Sequence, residues 1–181
     1  MQADVASQPG LIQALDPMAR TSWRTLKVGD LISIPVDESR IAIGHVIDEG
    51  QELYLCVYQP LFGAHEGAPD LSGVEVALIA RTGDELLWHG RWKVIGRQEL
   101  PTNIPRPYHV VGTPDGLRLR TFDGKDVRAA NDQDLIAYGY HFSVSNIKFS
   151  KVMRHIHGIE PYPDDYSKVT YGVSIKRSSL T

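Results

Sequence analysis

Cysteine is nearly absent from this sequence: Cys56 stands alone among 181 residues, and one thiol cannot form a disulfide within the chain. It lies inside the apolar run LYLCVY with no metal-type spacing around it, which marks it as a small buried hydrophobe rather than a nucleophile. Long apolar runs are missing too. None approaches the ~18 residues of a membrane span, and the first residues hold no basic stretch followed by an apolar one. The expectation is a cytoplasmic protein with no membrane partner. A basic excess is also lacking: the formal net charge is -3, which leaves no electrostatic footprint for nucleic acid but suits a basic protein partner. Neither a Walker A sequence, a dinucleotide fingerprint, a nucleophile elbow nor a zinc spacing is found, so no cofactor is expected.

What is present describes an ordinary folded chain. Its 42% hydrophobic and 23% charged residues fall in the globular range, and its length suits one core rather than two. Residues 1–25, broken at Gln8-Pro9-Gly10 and Asp16-Pro17, read as an N-terminal arm, with Trp23 and Leu26 marking where it meets the core. Residues 26–181 read as a single domain.

That domain is organised around residues 27–49, KVGDLISIPVDESRIAIGHVIDE. Ile32, Ile34 and Val36 alternate with Leu31, Ser33 and Pro35, then Ile41, Ile43, His45 and Ile47 alternate with Ala42, Gly44 and Val46. A period of two on each side of a short polar connection predicts an antiparallel hairpin. Gly44, in mid-strand, marks a bend or a close approach. Residues 52–59 predict a third strand, buried on both faces or at a barrel seam, and residues 74–80 a fourth, with Val74, Val76 and Leu78 facing one way. Residues 61–73, LFGAHEGAPDLSG, predict an exposed loop. A helical turn at 85–89, a strand at 92–97, an extended proline-rich link at 101–107 and a meander around Pro114-Asp115-Gly116 follow. Residues 126–138 read as a helix capped by Asp126 or Asn131. The clearest helix covers residues 146–157, where Phe149, Val152, Met153 and Ile156 recur at helical spacing, Ser145 or Asn146 caps the start and Gly158 ends it. A last strand is expected at 169–176. The fold class is therefore α+β, mainly β: a strongly bent antiparallel sheet or small barrel with one substantial C-terminal helix.

Candidate chemistry is sparse. His155 and His157 could share a metal on a strand, with Asp164 and Asp165 as carboxylate ligands, which is the basis for a metal-dependent hydrolase. On a helix, residues two apart point about 200° apart, so no metal site is expected there. His65 and Glu66 form an acid–base pair only in a loop that lacks a nucleophile, and Asp132 with Asp134 reads as a solvated pair. Arg118 and Arg120 on one strand face, and Lys148, Lys151 and Arg154 on one helix face, would serve a small nucleic-acid-binding barrel; with no aromatic platform they read as solvated faces. Trp88 and Trp92, either side of Gly90, read as core anchors. No catalytic residues are assigned.

Three stretches together, KVGDLISIPVDESRIAIGHVI, then LYLCVY, then HGRWKVIGRQELP, resemble the immunity protein family 26 of bacterial polymorphic toxin systems. The resemblance covers residues 27–107 and, less closely, the meander to Phe122. It rests on strand, turn and Gly-Trp spacing, through Gly29, Asp30, Pro35, Gly44, Gly90, Trp92, Gly96 and Pro101, all structural positions. It implies a cytoplasmic inhibitor that binds a cognate protein toxin and blocks it sterically, with no catalytic residues. Phe62, His65 and Glu66 in the long loop, then Tyr162, Asp164 and Asp165, are the expected toxin contacts.

Overall fold

The computed structural model describes residues 24–48, 52–64, 67–102, 104, 106, 108–139 and 143–161. The opening hairpin forms as its spacing dictates. Strands β1 (Asp30–Pro35) and β2 (Arg40–Asp48) pair antiparallel from Leu31 opposite His45 to Pro35 opposite Ile41. Strand β3 (Leu53–Tyr58) joins β2, and β5 (Val76–Thr82) joins β3, both antiparallel. Strand β6 (Lys93–Arg97) closes the other side against β1, and a two-residue β4 (Phe62–Gly63) pairs with the start of β2. The order β5-β3-β2-β1-β6 leaves β5 and β6 at opposite edges. Of the two expected forms, the sheet is thus the open antiparallel one rather than a closed barrel.

Both faces of this sheet are buried. Ile32, Ile34, Val46, Leu55 and Val57 form one layer with Leu26, Leu87, Trp92, Val144, Phe149, Val152 and Met153. Helices α1 (Glu85–Trp88) and α3 (Ile147–Ile156) supply Leu87 and the last three of these, and Trp92 meets Phe149 edge-on at 5.7 Å. The opposite layer holds Leu31, Ile41, Ile43, Ile47, Tyr54, Cys56, Tyr58, Ile79, Leu71 and Phe122. Gly44 makes the close approach its position implies, since a Cβ there would stand 3.1 Å from Ile34 Cδ1.

A second sheet follows the expected meander. Strands β7 (His109–Thr113), β8 (Gly116–Arg120) and β9 (Asp126–Ala129) run antiparallel in that order. Helix α2 (Asp132–Tyr138) packs on one face through Ala137 and Tyr138 against Val110 and Leu119. The two sheets meet where Phe122 stacks on Tyr54, ring centroids 4.4 Å apart, with Arg81 over the Tyr54 ring and Arg106 over the Phe122 ring.

Three expectations need correction. Residues 126–138 are not one helix: Asp126–Ala129 are a strand, because three backbone pairings to β8 outweigh a weak helical pattern. Residues 61–73 are not simply an exposed loop, since Phe62 and Gly63 join the sheet and Leu71 is 1% exposed. The facing of β5 also changes. A register shift between Val57 and Tyr58 sends Leu78 into the helix-covered layer while Val74 and Val76 pack in the other. The strand expected at 169–176 and the first 23 residues of the arm expected at 1–25, Trp23 among them, lie outside the described residues. Leu26, expected to mark the start of the core, is buried.

Candidate interaction surface

One end of the main sheet gathers segments from across the chain. The β1–β2 connection sits there, held by Asp37, whose carboxylate accepts from the Ser39 N–H at 3.0 Å and from the Arg40 N–H and Nε at 2.8 and 2.7 Å. The Arg40 side chain, followed by the Ser39 N–H, lowers the Asp37 carboxyl to about 2, so the turn is ionised over the whole neutral range. The segment after β3 is pinned to this turn, since the Ala64 N–H donates to the Ser39 carbonyl at 2.9 Å beside the half-buried Phe62.

Helix α3 ends at the same place. Arg154 Nε donates to the Val36 carbonyl at 2.5 Å and its Nη1 meets Glu160 at 2.6 Å. Across from it, His157 Nε2 donates to the Gln59 carbonyl at 2.7 Å. Turn 36–40, segment 59–64 and helix end 154–160 are thereby tied into one pole. This brings together the roots of the two stretches expected to contact a partner, for Phe62 and Ala64 lead directly to His65 and Glu66, and Pro161 leads directly to Tyr162. His65, Glu66, Tyr162, Asp164 and Asp165 themselves lie outside the described residues. Sequence reasoning chose the two stretches separately and missed the turn at 36–40 that joins them; Asp37, one residue past the apolar run, was its signal.

His155 and His157 do sit at a helix end, as the helical period requires. Their rings are engaged with different carbonyls, His155 Nδ1 with Glu160 and His157 with Gln59. Among the described residues no group of three or more His, Cys, Asp or Glu is placed to hold a metal.

The other candidate charges are structural. Arg118 and Arg120 both reach Asp126, Arg120 at 2.6 Å. Asp134 is not solvated as expected: it is buried, accepts the Asn131 N–H and holds Arg128 through two bonds of 2.5 and 2.6 Å. The Arg128 guanidinium first, and the Asn131 N–H second, keep its pKa below the usual carboxylate value. Of the two tryptophans read as anchors, Trp92 is buried and Trp88 is 47% exposed. Cys56 is fully buried, and burial pushes its thiol up to about 12 against the opposing effect of its hydrogen bond with Tyr58.

No helix among the described residues is long and apolar enough to cross a membrane. Compared with protein-family models, curated proteins and solved structures, the chain finds no match in any of the three.

Proposed function

We propose that this chain is an immunity protein that binds a cognate bacterial toxin in the cytoplasm and neutralises it sterically, as its resemblance to immunity protein family 26 implies. The observation that carries this reading is the pole: three segments distant in sequence, 36–40, 59–64 and 154–160, bonded into one contiguous end of a sheet that is buried on both faces. Such a platform holds its contacts in one geometry before the partner arrives, which lowers the ordering cost of binding. Phe62 offers a half-buried aromatic anchor, while Glu38 and Ser39 offer exposed polar contacts around it. With a mild net charge, recognition relies on such local contacts more than on long-range steering.

The test is co-expression with the toxin-like protein encoded beside it. Rescued growth together with a complex that survives gel filtration is the expected result. Continued killing with no complex overturns the pairing.

A further inference from the structure

We propose that His45 and Gln98 form a proton-operated latch, which holds residues 67–74 against the main sheet and lets them go when the His45 ring takes up a proton. The inference concerns the free protein and does not rest on the toxin reading.

Gln98 follows β6 and ties three segments together. Its N–H donates to the Gly29 carbonyl at 2.9 Å, its own carbonyl faces His45 Nε2 at 3.1 Å, and its side-chain amide donates to the Pro69 carbonyl at 2.5 Å. Two residues beyond Pro69, Leu71 is buried in the same layer as Ile43 and Tyr58. Residues 67–74 are thus a strap laid over that layer, with Gln98 as its polar fastening.

The state of His45 follows from its neighbours. A ring nitrogen facing a carbonyl must carry the hydrogen, so Nε2 donates to Gln98 and Nδ1 accepts from the Tyr58 hydroxyl at 2.9 Å. The Tyr58 hydroxyl is also bonded to the Cys56 side chain, and all three side chains are fully buried. A proton on Nδ1 would force the Tyr58 hydroxyl to turn its hydrogen away, towards Cys56, and would place an imidazolium where no water reaches. Charged and titratable groups around the ring offer little relief. Asp30 on β1 already accepts from the Lys27 N–H at 2.8 Å and pairs with Arg97 of β6 at 2.7 Å, while burial keeps Tyr58 and Cys56 of β3 protonated and neutral. Burial accordingly holds the His45 pKa below 6.5, against the Gln98 and Gly29 carbonyls and the Asp30 charge, which pull it up.

In the released form Gln98, which faces the ring, moves off with the strap, and the ring, opened to water, returns to its ordinary value. Above pH 6.5 neither form binds the proton and the latch is indifferent to pH. Below it the released form binds a proton that the latched form refuses. Each further pH unit then favours release by up to about tenfold, until the latched-form pKa is reached.

Hydrogen exchange of the full chain, corrected for intrinsic rates, tests this. From about pH 7.5 to about pH 5, amides in residues 70–75 and 98–100 should lose protection, by at most about tenfold for each pH unit below 6.5, while the β7–β8 hairpin keeps its own. His45→Gln preserves a donor for Gln98 and an acceptor for Tyr58 but cannot titrate, so its strap should stay protected in acid; His157→Gln should leave the acid response intact. Should His45→Gln not fold, Gln98→Ala must already expose residues 70–75 at neutral pH. An undiminished acid response in His45→Gln, an unchanged strap in wild type while NMR shows the His45 ring titrating, or full protection in Gln98→Ala overturns the latch.

Discussion

Cys56 shows how far a single residue's behaviour follows from its surroundings. Its thiol is fully buried with a pKa near 12, so thiolate is scarce at any pH the protein meets. Ellman's reagent should therefore label native protein at least about a hundredfold more slowly than protein in denaturant, at a rate set by opening; equal rates would contradict the burial. Gly29 is the second case. Its φ of +93° suits glycine, and a Cβ there would stand 2.6 Å from the Gln98 carbonyl. Gly29→Ala should cost about 2 kcal/mol or more in urea unfolding, from backbone strain and the displaced Gln98 together. A cost near zero would mean that the turn simply relaxes. Gly29 announces itself in the sequence as the middle of Val-Gly-Asp before a strand, but its contact with a carbonyl far along the chain does not, because local spacing carries no information about which distant backbone arrives.

Elements with strong periodicity were legible in the same way. The β1–β2 hairpin and α3 appear where the apolar spacing put them, since each buries a continuous row of side chains whose period belongs to one kind of structure. Asn146 stands at the expected cap position, just before Ile147, but does not cap: its side chain donates to Glu85 at 2.7 Å and makes no cap bond. The failure at residues 126–138 has a different cause. β9 is exposed along its whole length and stays a strand through its backbone pairing to β8, which leaves no hydrophobic period to read. Helix α2 then starts at Asn131 with reciprocal bonds between the Asn131 side chain and the Asp134 N–H and between Asp134 and the Asn131 N–H. Asn131→Ala should cost about 1 kcal/mol. Because α2 packs on the second sheet through Val110 and Leu119, protection should fall first in β7–β9 and α2, with the β1–β2 hairpin unaffected; uniform loss across the chain would show the two sheets unfolding as one unit.

At the scale of the molecule, burial of the main sheet on both faces limits where a partner can bind. Helices α1 and α3 occupy one face and the strap with Phe122 the other, so edges and ends remain. The edges are less suited: β6 carries Lys93 and Arg97 at its two ends, and β5 is bridged at Arg81 by Ser143. The pole is the place where the β1–β2 turn, the segment after β3 and the end of α3 are cross-bonded. If a toxin seats there, Phe62→Ala and Glu38→Lys should each weaken the complex about tenfold or more. Glu38 is exposed, so its substitution should leave the melting temperature unchanged and isolate binding from folding. Lys125→Ala, beside the second sheet and also exposed, should leave affinity within about twofold. Calorimetry of the purified complex reads all three. A loss at Lys125 with none at Glu38 or Phe62 would move the interface to the second sheet, where Arg118 and Arg120 share the Asp126 carboxylate between β8 and the exposed β9.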